Sequence, residues 1–343
     1  MFALLLRNDK LAALMPKPSS RRGTLVISLD FELNWGVRDW IDLDSYRANL
    51  LGVRTALPRL LEMFAEYGIH ATWATVGFLF FDEKEDLLAG LPRLRPRYAD
   101  TSKCPYTALA MVGKDEAQDP FHFGWSLLQQ IQQAGGQEIA SHTFSHYFCF
   151  ERGQDAATFR EDLAAAVNAG ARRGIALESL VFPRNEVRAD YLPLCAQQGI
   201  KAYRGTPRSW LYRPRAARDE TVIRRALRLL DAYVPLTGQN THCPDAVAAA
   251  LPRNVPASRF LRPYDARMGR LDQLKVNRVC NELSAAASAG GLYHLWWHPH
   301  NFGIHQDENF DMLRHILRHF AELREAHGMQ SLTMRDAALA TAP

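Results

Sequence analysis

The sequence has no run of about 18 apolar residues, the length a membrane-spanning helix needs, among its 343 residues. It has no Cys-x-x-Cys pair. Its five cysteines, Cys104, Cys149, Cys195, Cys243 and Cys280, are odd in number and scattered. That excludes a cysteine zinc site and a redox dithiol, and it points to free thiols in a reducing compartment. No block of basic residues interleaved with aromatics is present, and the net charge is only +4. Nucleic acid is therefore not an expected partner. Internal repeats and low-complexity tracts are missing as well. The apolar start, Met1 to Leu6, is cut short by Arg7, Asp9 and Lys10 and does not read as an export signal. A cytoplasmic protein is the expectation.

What is present is ordinary globular composition, 47% hydrophobic and 23% charged. Residues 1–22 read as a tail or short helix, and residues 23–343 as one domain. Buried-type strands are predicted at 24–30, 70–76, 137–141, 180–182, 200–203 and 292–297, with a closing strand near 332–334. Helical patterns fall between them, at 45–67, 124–134, 156–173, 190–198, 277–289 and 310–327. Pro58 predicts a break in the first helix. Strand–helix alternation of this kind argues for an α/β fold with a parallel sheet and helices outside. Two stretches lose the rhythm and read as long insertions, 82–119 and 206–275; the second contains seven prolines.

Chemistry concentrates at predicted strand ends. Asp30 and Glu32 end the first strand. His142 and His146 follow the third, and their spacing predicts two rings on one face of a single helical turn. Arg184 follows the fourth strand and His298 the last. In parallel α/β barrels the working residues collect at the strands' C-terminal ends. Two imidazoles and a carboxylate suit a divalent ion such as Zn²⁺, leaving a coordination position free.

Asp-x-Glu, His142-Thr143-Phe144-Ser145-His146, an arginine beside a proline, and a histidine near the C-terminus together resemble the polysaccharide deacetylases, the NodB-homology proteins of carbohydrate esterase family 4. The resemblance spans about residues 24–335, outside the insertions. It implies a distorted (β/α) barrel of seven or eight strands. It also implies a divalent metal, most often Zn²⁺, held by Glu32, His142 and His146. Asp30 maps to the catalytic base, His298 to the general acid and Arg184 to the residue orienting the base. The reverse assignment of Asp30 and Glu32 stays open, because many family members carry two adjacent aspartates there. His294 and His300 compete with His298. Trp35 and Tyr147 are candidates for stacking on a sugar ring. The arginine-rich stretch beginning at Arg204 is a candidate for contact with a phosphate or uronic acid carboxylate.

The implied activity is metal-dependent removal of an N-acyl group from a sugar or glycan. With no export signal read, the substrate would be made inside the cell. It would be nucleotide- or lipid-linked and belong to surface polysaccharide (O-antigen or capsule) assembly. Two other readings are a hydrolase of a small cyclic amide, as in the allantoinases, and a non-catalytic glycan-binding protein on the same fold.

Overall fold

A computed structural model describes residues 21–216, 219–243 and 250–340; the expected N-terminal tail lies almost wholly outside them. The organising element is β1 (Thr24–Phe31), buried over all but its first residue. Its side chains alternate. Leu25, Ile27, Leu29 and Phe31 join the main hydrophobic core. Ser28 and Asp30 face the opposite side and, with Glu32 just beyond, line the polar interior of the sheet.

Around β1 run β2 (Ala71–Thr75), β3 (Glu138–Ser141), β4 (Ser179–Leu180), β5 (Ala202–Tyr203), β6 (Arg253–Asn254), β7 (Arg259–Phe260), β8 (Leu292–Trp297) and β9 (Gln330–Leu332). The order across the sheet is β6-β5-β4-β3-β2-β1-β8-β7, and every pairing is parallel. β9 pairs with the first residues of β1, below β2. The two edge strands, β6 and β7, are separated in the chain by residues 255–258 alone. So short a link reaches at most about 18 Å, so the sheet must curl until its edges nearly meet. The link bonds to both sides: Val255 and Ala257 donate to Tyr203 and Gly205, and Ser258 to His294. The result is the curled (β/α) barrel that the resemblance implies.

The outer layer contains α1 (Leu43–Tyr67), α2 (Trp125–Gln133), α3 (Ala156–Arg172), α4 (Leu192–Gln197), α5 (Val222–Asp231), α6 (Asp272–Ala289), α7 (Gln306–His327) and α8 (Met334–Ala340). α1 opens with Asp42 accepting from Asp44 N and Ser45 N, and closes on left-handed Gly68. It runs unbroken through Pro58, against the expected break. Leu57 and Leu60 flank the proline and are fully buried. Fully burying each contributes about 1.5–3 kcal/mol, enough to offset a proline penalty of about 3 kcal/mol.

The stretch 82–119 contributes no strand to the sheet. It packs onto the loop after β1, where Arg38 bonds Ser102 O and Lys103 O and Asp39 pairs with Lys103 at 2.9 Å. The second expected insertion needs correction, because β6 and β7 lie inside 206–275 and complete the barrel. Strands of two residues carry no alternation long enough to read. Among the described residues, no helix is long and apolar enough to cross a membrane.

Candidate metal and catalytic site

Four strands deliver the site. Asp30 lies at the end of β1 and Glu32 just past it. His142 directly follows β3, Arg204 directly follows β5, and His298 directly follows β8. Asp30, Glu32, His142 and His298 line a cavity of about 310 Å³ walled by Trp40, Tyr46, Phe260 and Trp296, with Arg204 buried behind Asp30.

Glu32 is the hub. One carboxylate oxygen, Oε2, lies 3.3 Å from His142 Nε2 and 3.2 Å from His146 Nε2. The other, Oε1, lies 3.2 Å from His300 Nε2 and 3.5 Å from His298 Nε2. Burial works to raise the Glu32 pKa, but His298 and the three hydrogen-bonding imidazoles hold it well below the ordinary value. Burial lowers the pKa of His146 and of His300. An ionised Glu32, and a His146 and a His300 that burial biases toward the neutral form, are the protonation states metal ligands need.

The histidine pair converges differently from the expected helical turn. Residues 142–146 form no helix; Thr143 and His146 adopt left-handed backbone angles, φ 63° and 57°. Such angles strain non-glycine residues, and a dense set of bonds holds them. Thr143 Oγ1 accepts from Tyr147 N at 2.7 Å, and Asp162 accepts from Phe144 N at 2.7 Å and from the Ser145 hydroxyl. Asp162 is itself buried, which pushes its pKa up to about 6. His142 Nδ1 donates to Val181 O at 2.9 Å, which orients the ring so that Nε2 is the nitrogen turned toward Glu32.

Asp30 is clamped rather than free. Arg204 donates to both of its oxygens at 2.7 Å, while its other donors reach Ser28 and Asn185. The guanidinium also lies over the Trp296 ring at 4.1 Å. Burial raises the Asp30 pKa, yet Arg204, His142 and His298 bring it below the usual value. Below this pair, His294 bonds Ser28 Oγ and Val255 O; burial holds its pKa near 3, and it faces the core.

Several expectations change here. Arg184 does not reach Asp30. Its own φ of 54° and that of Asn185, 56°, turn it to Asp39 and Glu151, with Phe148 under its guanidinium at 4.1 Å. Arg204, expected at the substrate, takes the place given to Arg184. The signal was available: Arg204 follows a strand directly, as His142 and His298 do. Trp35 and Tyr147 are both fully buried and cannot stack on a ligand. The Trp35 indole donates to His122 O, and the Tyr147 hydroxyl bonds Thr158. Trp40 and Trp296 border the cavity instead.

His298 Nε2 lies 3.7 Å from Asp30 Oδ2, and its ring stacks on His300 at 4.9 Å. Its side chain is 23% exposed, against 1% and 4% for His142 and His146. Among the described residues two groups of three donors could hold an ion, Glu32 with His142 and His146, and Glu32 with His298 and His300. The first is fully buried and has a ring proton fixed away from the site by a carbonyl.

The family model for polysaccharide deacetylases matches residues 44–231, more than half of the chain. The chain belongs to the polysaccharide deacetylase family. Among curated protein sequences none matches. Solved structures share the fold at low identity. A polysaccharide deacetylase homologue from Mycobacterium smegmatis is 17% identical over 95% of this chain and 93% of its own, with TM-score 0.57. One from Pseudomonas aeruginosa PAO1 is 12% identical over 94% and 91%, with TM-score 0.54. The PuuE allantoinase is 13% identical over 95% and 93%, with TM-score 0.52. In this polysaccharide deacetylase family member the matched stretch contains the histidine pair and Arg204. Asp30, Glu32 and His298 lie outside it and join the site through β1 and β8.

Proposed function

We propose that the protein hydrolyses an N-acyl group from a sugar or glycan, using a divalent ion, most readily Zn²⁺, held by Glu32, His142 and His146. The observation that supports this best is the convergence of His142 Nε2 and His146 Nε2 on one oxygen of Glu32, beside an arginine-clamped Asp30. When bound, the ion supplies Lewis acidity, polarising the acyl carbonyl and lowering the pKa of a nearby water. Asp30 accepts the proton of the attacking water. Arg204 keeps that carboxylate ionised and fixes its direction. His298, the most exposed of the site imidazoles, donates to the departing amine. Trp40 and Trp296 offer ring faces to the sugar, in the role first given to Trp35 and Tyr147.

The setting we propose is cytoplasmic assembly of surface polysaccharide, O-antigen or capsule, on a nucleotide- or lipid-linked sugar. The test is acid release from a panel of N-acylated sugars, with allantoin as the comparison substrate. Asp30→Asn is expected to keep its metal and lose turnover by about 10²–10⁴-fold. His142→Ala is expected to lose the metal by elemental analysis. An Asp30→Asn protein that turns over normally sinks the base assignment. If it loses the metal while Glu32→Gln keeps it, the two carboxylates exchange roles.

A further inference from the structure

A second cavity, of about 350 Å³, adjoins the catalytic one and shares the wall made by Arg184, Asn185, Phe260 and Trp296. Six arginines face it: Arg184, Arg213, Arg215, Arg228, Arg259 and Arg262. Two carboxylates in its wall do not balance them. Glu220 is paired with Arg228 at 3.0 Å. Glu186 accepts from Phe150 N at 2.8 Å, and burial pushes its pKa up to about 7, so near neutral pH it carries only part of a charge. Arg259 is held by both oxygens of Glu282 at 2.7 Å, and Arg184 is held by Asp39 and Glu151.

That leaves Arg213, Arg215 and Arg262, none of which has a carboxylate partner among the described residues. Arg213 and Arg215 reach solvent, and a hydrated basic face would account for them alone. Arg262 is different. It is half-buried, its guanidinium 6.0 Å from the Phe260 ring centre. Burial lowers its pKa; Tyr212 and Tyr233 oppose that shift, and the like charges of Arg228 and Arg259 add to it. A guanidinium stays ionised even so. Packing like charges into a partly dry wall is unfavourable unless an anion joins them, and the planar fork of arginine matches phosphate and carboxylate oxygens.

We infer that this cavity is an anion subsite, which takes a phosphate or carboxylate group of the substrate whose acylated amino sugar occupies the catalytic cavity. The sugar's placement rests on the deacylase reading; the anion's placement does not. Trp296 joins the two sites, since it stacks against Arg204 and lines both cavities. A sugar phosphate and a uronic acid present the same chemistry to these arginines.

The test starts with pyrophosphate titrated into the full-length protein by calorimetry. Saturable binding is expected, weakened at least tenfold in an Arg213→Ala/Arg262→Ala variant whose circular dichroism matches the wild type. Arg262→Lys, which retains the charge, should keep most of the affinity. Absence of saturable binding, or equal binding by the double variant, overturns the inference. Displacement by N-acetylglucosamine 1-phosphate or by N-acetylmuramate then tells a phosphate source from a carboxylate source. Pyrophosphate binding without hydrolysis of any acylated sugar would leave the subsite standing and remove the deacylase reading. Hydrolysis of neutral acylated sugars without pyrophosphate binding would do the reverse.

Discussion

Gly36 shows how closely the Glu32 carboxylate is fitted. A methyl group on Gly36 would stand 1.9 Å from Glu32 Cδ and 2.2 Å from each carboxylate oxygen. Glu32 therefore lies folded over the turn Leu33–Gly36, and only glycine leaves the space. Its φ is not the issue; the contact is steric. Gly36→Ala must push the carboxylate off the axis shared by His142 and His146. Displacing a group that fixes a ligand typically costs about 10–100-fold in metal affinity. The expected result is a folded variant whose zinc affinity falls by that order, read by titration against a metal-buffering chelator. Wild-type affinity in that variant would show that Glu32 is not bound to the geometry described here.

The contact between α1 and the turn after β8 positions His300. Tyr46 on α1 bonds His300 Nδ1 at 2.9 Å, and Asn49 bonds its carbonyl at 3.2 Å. One turn further along, a methyl on Gly52 would lie 1.9 Å from Gly303 O, and one on Gly303 would lie 1.9 Å from Asn49 O. Helix and turn thus meet backbone to backbone. Gly52→Ala is expected to lower stability by about 1–3 kcal/mol, the usual cost of overpacking, and to lower turnover because the His298–His300 turn moves with it. Denaturant melts and kcat check both effects. An unchanged melting midpoint would mean that this contact opens freely.

Metal binding should couple distant parts of the chain. Glu32 stands after β1, third from one edge of the sheet, and the histidine pair stands after β3, two strands away. An ion held by all three ties these elements together only in the folded state. At a thousandfold excess over its dissociation constant it stabilises folding by about 4 kcal/mol. Adding a chelator to the zinc-loaded protein should therefore lower its Tm, whereas His142→Ala should melt alike with and without chelator. A wild-type Tm indifferent to chelator and to zinc would contradict the site.

Much of this was legible in the chain itself. The apolar β-branched run of β1, the stops at Gly68, Gly290 and Gly328, and the His142–His146 motif are local signals. Local chemistry, through alternation, capping and the donor types a metal prefers, decides such features. Asp30, Glu32, His142 and His298 could be singled out for the same reason, since each sits at the end of a recognisable strand. Only the tertiary structure separated Arg204 from Arg184. Both follow strands, and the choice depends on left-handed backbone at Arg184 and Asn185 and on a guanidinium closing over Ser28, Asp30 and Trp296 from another strand. The fate of the aromatics also depended on packing: Trp35 and Tyr147 turn into the core, while Trp40 and Trp296 face the cavity. The two-residue strands β6 and β7 were invisible for a related reason. They exist as strands because neighbouring strands supply their hydrogen bonds, and nothing in their own composition demands it.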